Sequence, residues 1–374
     1  MNNFDLKKWA NKVIEPSGIV LDGPNPWDPQ MKDQRVFERI KAQGSLGLGE
    51  SYMDSWWECN KLDDFFYRLL SMEDLYGRLG INLPVILEFL KSKLFNLQAM
   101  KRAFQIGEKH YDTGNDLFEK MLGPSMTYSC GYWKEADNLD SAEEAKLDLI
   151  CRKINLQPGQ RVLDIGCGWG SFARHAAKNY GARVVGITVS KEQKKLAEEL
   201  CQGLDVEFRL QDYREVNEKF DHIISIGMFE HVGQKNYRVY MKMVKRCLKP
   251  NGLFLLHTIG SLKTGSSTDP WIEKYIFPNG KLPSLKQIAI AVDKLFVIED
   301  VHNFGPDYDK TLMAWYKNFE DAWPALKDKY GDRFYRMWKY YLLCCAGAFR
   351  ARNIQLWQVV LSPHGVPGGY KSIR

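Results

Sequence analysis

The sequence predicts an α/β protein: a doubly wound parallel sheet joined to a small, mainly helical N-terminal domain. Three observations carry this. In RVLDIGCGWGS, residues 161–171, a short β-branched run breaks directly into Gly166, Gly168 and Gly170, as where a strand turns sharply into a helix. Four further apolar runs, ARVVGIT, VEFRLQD, HIISIG and LFLLHTIG, follow it, separated by helix-like segments such as KEQKKLAEELC. A chain of 374 residues is also too long for one typical domain.

Taken in chain order, residues 1–90 carry apolar residues at helical spacing, interrupted by Pro16, Pro24, Pro26 and Pro84, with no clear strand series. Within them SYMDSWWECNKLDDFFYRLL crowds Trp56, Trp57, Phe65, Phe66 and Tyr67. Residues 91–106 form a basic amphipathic linker: Leu94, Leu97, Met100 and Phe104 fall on one helical stripe, beside Lys91, Lys93, Lys101 and Arg102. Such a helix lies on a membrane surface or packs one domain on another. The aromatics and this segment together are expected to dock the protein on a bilayer, or the N-terminal domain to support a dimer. Residues 107–374 form the second domain. There Ser141 with Glu144 reads as a capping box opening a helix over SAEEAKLDLICRKI, ahead of the five strands. Two later strands, KLFVIEDVHNF and IQLWQVVLS, stand far apart with a helical insertion between them.

Composition is that of a soluble protein, with 45% apolar and 26% charged residues. No run of eighteen apolar residues occurs, and MNNFDLKKWANKVIEPSG lacks the apolar core of a signal peptide, so a cytoplasmic location is expected. Cys59, Cys130, Cys151, Cys167, Cys201, Cys247, Cys344 and Cys345 show no metal-ligand spacing; reduced thiols and no metal site are expected. A net charge of +6 is too mild to demand nucleic acid, and none is expected.

The glycine turn offers a close backbone approach and a helix N-terminus to a small polar ligand. A dinucleotide fingerprint fits poorly, because Asp164 sits at the strand end and the next strand closes on Thr188 rather than on an acid. The pattern resembles the first motif of Rossmann-like class I S-adenosylmethionine-dependent methyltransferases, whose last two strands form an antiparallel hairpin at the edge of a seven-stranded sheet. KLFVIEDVHNF and IQLWQVVLS suit that place. Ligands of open α/β sheets lie beyond the carboxyl ends of the strands. Each end supplies a polar group: Thr188 and Gln193; Gln211, Asp212 and Tyr213; Glu230 and His231; His257 and Ile259. The segment IGMFEHVG lacks the Asp/Asn-Pro-Pro-aromatic signature of base methylation.

Six motifs in order, HYDTGNDLFE, YSCGYW, VLDIGCGWG, GITVSKEQ, MFEHVG and CAGAFRARNIQLWQVVLS, resemble the family of cyclopropane-fatty-acyl-phospholipid synthases and mycolic acid cyclopropane synthases across residues 104–362. The N-terminal part resembles the extra domain of the longer bacterial members. The resemblance implies methyl transfer from S-adenosylmethionine to the cis double bond of an unsaturated phospholipid acyl chain, a carbocation, and a proton removed from the new methyl to close a cyclopropane ring. It implies a bicarbonate ion held by Cys130, Glu230, His257, the Ile259 main chain and Tyr308, with Cys345 as a pocket wall. Tyr128 and Ser129 are implied at the methionine carboxylate, Asp164, Gly166 and Gly168 in the loop beneath it, Thr188 and Gln193 at the ribose, and Asp212 and Tyr213 at the adenine. Trp133, Phe172, Phe229, Tyr237 and Tyr316 are candidates to stabilise a carbocation, since aromatic faces attract cations by about 0.5–2 kcal/mol. Peripheral association with the inner membrane face and a homodimer are implied too. Two alternatives stay open: a relative giving a branched or hydroxylated product, and a non-catalytic lipid-binding module.

Overall fold

A computed structural model describes residues 3–73, 115–265 and 268–374. The basic segment 91–106 and the first residues of HYDTGNDLFE lie outside the described residues. The described chain gathers into two compact units, and the division is not a single cut. Residues 3–73, 268–278 and 308–354 form one; residues 115–265, 279–307 and 355–374 form the other.

The first unit holds α1 (Asn3–Ile14), α2 (Arg35–Gln43), α3 (Ser45–Met53) and α4 (Leu62–Leu70). It also contains a two-residue antiparallel ribbon, β1 (Gln30–Met31) with β2 (Trp57–Glu58), too short to leave a strand pattern in the sequence. Later segments supply the helix Pro270–Tyr275 and most of the helical run Pro306–Arg350, which is broken at Gly331 (φ 76°, ψ 164°). The crowded aromatics are core. Trp57 is fully buried and lies 5.0 Å from Tyr52 and 5.4 Å from Phe65, ring centre to ring centre; Phe66 meets Tyr340 at 5.1 Å, and Tyr340 meets Trp271 at 4.4 Å. Trp57, Phe65 and Phe66 therefore do not dock on a membrane, contrary to the sequence expectation. Burying rings of this size is worth more to the fold than leaving them exposed. Trp56 is half-buried under the guanidinium groups of Arg35 and Arg39.

The second unit begins with α5 (Asn115–Leu122) and α6 (Leu139–Lys153) and then alternates: β3 (Arg161–Ile165), α7 (Ser171–Tyr180), β4 (Arg183–Thr188), α8 (Lys191–Leu200), β5 (Val206–Leu210), β6 (His222–Ile226), α9 (Tyr237–Cys247), β7 (Phe254–Ser261), β8 (Val297–Asn303) and β9 (Ile354–Ser362). The seven strands from β3 onward lie in the order β5-β4-β3-β6-β7-β9-β8. β5, β4, β3, β6 and β7 pair in parallel, and β8 pairs antiparallel with β9 at the edge. Strand order reverses beside β3, which places the crevice at the glycine turn. α6 starts earlier than the sequence suggests: Asn138, not Ser141, is the cap, its side chain accepting from the Ser141 N–H at 2.9 Å.

Alternation along the strands decides which groups face which helices. Leu163 and Ile165 join Ile223, Leu256 and the α9 residues Tyr240, Met241 and Val244 on one face. Val162, Ile224 and Leu255 join Ile150 of α6 and Phe172 and Ala176 of α7 on the other. Two residues beyond Val162 and Leu255, Asp164 and His257 fall on this second face, as does Gln358, two before Val360. A polar stripe thus runs beneath α6, whose Lys146 and Lys153 are themselves buried.

Candidate functional site

One cavity opens at the carboxyl ends of β3, β4, β5 and β6, and its walls contain Tyr128, Ser129, Asp164, Gly166, Gly168, Thr188, Gln193, Asp212 and Tyr213. The turn that forms its floor needs glycine for two distinct reasons. Gly166 has φ 80°, and a Cβ there would sit 2.7 Å from the Met228 Cβ; Gly168 has φ 54°, and a Cβ there would meet nothing within 4 Å, so its backbone faces open space. α5 buttresses the turn from behind. Asn115 accepts from the Trp169 indole at 3.3 Å, and Phe118 packs at 5.0 Å from Trp169 and 5.2 Å from Tyr128.

The polar walls are set by local hydrogen bonds. The Ser190 hydroxyl caps α8 by accepting from the Gln193 N–H at 3.2 Å, and Thr188 donates to Gln193 Oε1 at 2.9 Å. That leaves the Gln193 amide NH2 for a ligand hydroxyl. Asp212 is held by Arg214, accepting from its Nε at 2.8 Å and its backbone N–H at 2.9 Å. Asp212 is thus a fixed acceptor with spare lone pairs, beside the Tyr213 ring. At the opposite end Lys146 donates to the Ser129 hydroxyl at 2.8 Å. Burial pushes Asp164 up to about 7 and pulls Lys146 down, while each favours the ionised form of the other.

Glu230 and His257 do not line this cavity, but belong to the same unit. Glu230, in the single turn Phe229–His231, accepts the Ile259 N–H on Oε1 at 2.6 Å, while its buried Oε2 has no hydrogen-bond partner among the described residues. Burial pushes its carboxyl up to about 7, against the Ile259 N–H. Burial also holds the His257 imidazole neutral, helped by the charges of Lys146 and Lys153. Gln358 Nε2 lies 3.3 Å from His257 Nδ1, so Nδ1 accepts and the buried Nε2, without a partner among the described residues, carries the proton. Cys130 is fully buried, its thiol 3.1 Å from the Gly131 carbonyl. Ile259, Cys130, Glu230 and His257 all come from the second unit. Tyr308 and Cys345 belong to the first, where Tyr308 stacks on Phe349 at 4.5 Å.

Of the candidate cation-stabilising rings, Phe172 lines the cavity, Phe229 stacks on Tyr237 at 4.3 Å, and Tyr316 lies in the first unit under the Lys339 ammonium. The Trp133 N–H donates to the Asp307 carboxylate at 2.8 Å. Sequence reasoning missed Lys146, Arg214 and Gln358. Lys146 left a trace: it interrupts the stripe Leu139, Ala142, Leu149, Ile150 at helical spacing. Among the described residues no group of three His, Cys, Asp or Glu is placed to hold a metal ion, and no helix is long and apolar enough to cross a membrane.

The cavity's groups fit an amino-acid nucleoside such as S-adenosylmethionine: an ammonium-backed hydroxyl at one end, amide and hydroxyl groups in the middle, an acceptor with an aromatic at the other. Comparison with known proteins agrees. The family described as mycolic acid cyclopropane synthetase matches residues 98–359. The chain is 57% identical over 365 residues to the cyclopropane-fatty-acyl-phospholipid synthase of Escherichia coli strain K12, covering 98% of this chain and 95% of that one. It is 37% identical over 264 residues to a probable fatty acid methyltransferase of Pseudomonas putida, covering 67% of each. A solved structure of the mycolic acid cyclopropane synthase CmaA1 with S-adenosylhomocysteine and CTAB aligns with TM-score 0.65 and 32% identity, over 69% of this chain and 97% of that one.

Proposed function

Since the chain belongs to the mycolic acid cyclopropane synthetase family, we infer that it uses the site above to convert the double bond of an unsaturated phospholipid acyl chain to a cyclopropane. It is an S-adenosylmethionine-dependent methyltransferase. Bound in the cavity, S-adenosylmethionine supplies a methyl group on a positively charged sulfur. Tyr128 and Ser129 would hold its carboxylate end over the Gly166 and Gly168 backbone, Thr188 and Gln193 would take the ribose, and Asp212 with Tyr213 would take the adenine. Gly168 supports the fit: it lines the cavity and a Cβ there would meet no protein atom within 4 Å, which leaves its backbone open to a ligand.

Ring closure further requires a base. The observation that carries the choice of base is the opposite character of two buried, unpartnered atoms of one unit: Glu230 Oε2 can only accept while ionised, and His257 Nε2–H can only donate. A bicarbonate ion, with one O–H and two acceptor oxygens, complements that pair and supplies a base of suitable strength. Glu230 would then orient the ion's hydroxyl and His257 would donate to another of its oxygens, with Gln358 fixing the His257 tautomer; the Cys130 thiol already donates to the Gly131 carbonyl. The rings Phe229 and Tyr237 are poor nucleophiles and favour positive charge without trapping it.

The substrate is presented by a bilayer on the inner membrane face, and the N-terminal domain and basic segment 91–106 serve docking. Charge reversal at Lys101 and Arg102 should weaken binding to anionic vesicles and steepen its salt dependence; sedimentation with unchanged vesicle binding would remove that role. The function itself is tested by incubating the enzyme with unsaturated phospholipid vesicles and methyl-labelled S-adenosylmethionine and analysing the acyl chains by mass spectrometry. The expected product gains one CH2 and loses its double bond. A methyl-branched or hydroxylated chain would transfer the protein to the alternative chemistry.

A further inference from the structure

Lys146 is a buried cation that the chemistry above does not use. It sits on the inner stripe of α6, 1% exposed, and its one hydrogen bond shown is to Ser129 Oγ at 2.8 Å. Both residues line the cofactor cavity with Asp164 and Gly166. A lysine ammonium has three donors and no acceptor, so Ser129 Oγ must accept, and the Ser129 O–H is committed to donate elsewhere. Among the described residues no hydrogen bond takes that proton. Ser129 is itself 6% exposed, so its one remaining direction is the cavity. Asp164 and Glu143 supply the counter-charge that lets an ammonium stay buried here.

We propose that Lys146 is the positioning residue for the carboxylate end of the cofactor: it fixes Ser129 as a hydroxyl donor into the cavity and gives that end the positive charge an amino-acid carboxylate requires. This rests on the reading that Ser129 lies at the methionine end of the site. Lys146 touches neither the reacting methyl nor the lipid; it acts through Ser129. Its effect is confined to ligands that carry a carboxylate.

Two ligands separate this role from a merely structural one. S-adenosylhomocysteine carries the amino-acid end, whereas 5′-methylthioadenosine has the same adenosine thioether without it. Equilibrium binding of both is measured by calorimetry to the wild type and to Lys146→Met, Lys146→Gln and Ser129→Ala. Lys146→Met should lose about ten- to a hundredfold in affinity for S-adenosylhomocysteine, as expected for a charge-assisted hydrogen bond, and about threefold or less for 5′-methylthioadenosine. Lys146→Gln keeps a donor without the charge and should fall between. Equal losses for both ligands, or none, would overturn the proposal. If Ser129→Ala leaves the preference for S-adenosylhomocysteine intact, the reading of the site fails instead; if Ser129→Ala removes it and Lys146→Met does not, the inference alone fails. A readout free of variants guards against a substitution that does not fold. Because burial pulls the Lys146 ammonium down to about 8, an arriving carboxylate should draw a proton onto it. Wild-type calorimetry near pH 8, in buffers of different ionisation heat, should show proton uptake with S-adenosylhomocysteine and none with 5′-methylthioadenosine. Identical proton linkage for the two ligands would count against the proposal.

Discussion

Burial acts on Glu230 and His257 in opposite directions, and each outcome suits the role proposed for it. A buried carboxyl holds its proton longer, so Glu230 titrates at about 7 rather than near 4.5, while a buried imidazole sheds its proton and stays neutral. If the ionised Glu230 orients the base, kcat/KM at fixed bicarbonate should climb through an acid limb near pH 7, and that limb should vanish in Glu230→Gln. The stability linkage has the other sign. Between pH 4.5 and about 7 the folded Glu230 binds more protons than the unfolded one, so this group's contribution to stability falls as pH rises through that window and is constant above it. Denaturant midpoints of wild type and Glu230→Gln, compared at pH 5 and pH 8, measure that difference. The glycine turn gives a second contrast. Gly166→Ala combines a left-handed φ with a clash against Met228 and should cost more stability than Gly168→Ala, which should instead lose cofactor affinity; thermal unfolding and S-adenosylhomocysteine titration distinguish the two. The glycine turn, Asp164, Thr188, Gln193, Asp212 and Tyr213 were legible because strand ends converge on one crevice, which the strand pattern alone predicts. Lys146 and Gln358 were not, because whether a polar residue on an apolar stripe finds a partner depends on another element.

α6 illustrates where element boundaries escape the sequence. SAEE has the letters of a capping box, yet Asn138 takes the cap because its side chain reaches the Ser141 N–H from one turn earlier. Asn138→Ala should lower stability by about 1 kcal/mol and Ser141→Ala by less, as read from denaturant unfolding. The inner face of this helix carries Lys146 and Lys153 beside Ile150 and Leu147, so an apolar-stripe reading finds the helix and its buried face but not the charges on it. The strands fared better, since β-branched runs that end in glycine or polar residues leave few alternatives. β8 and β9 were placed at the edge by the family pattern, and their antiparallel pairing follows it.

At the scale of the whole chain, aromatic density does not say whether rings face lipid or core. Trp57, Phe65 and Phe66 are expected to face a membrane and are instead buried, Phe66 against Tyr340, more than two hundred positions away, which in turn packs on Trp271. Arg350 likewise pairs with Asp63 and Asp64. Such long-range closure cannot be read from a local pattern. A fragment ending at residue 90 should therefore remain largely unfolded by circular dichroism, because it lacks those partners; a cooperative, helical fragment would contradict this. The central claim is that Glu230 works by holding an external base rather than by being one. It is tested most directly by measuring cyclopropane formation on phospholipid vesicles in bicarbonate-depleted buffer and again after bicarbonate is restored, for wild type and Glu230→Gln. The wild type should recover strongly on restoration, while the variant should stay about a hundredfold or more below it and respond weakly. A variant that responds to bicarbonate as fully as the wild type, or a wild type indifferent to it, would contradict the account.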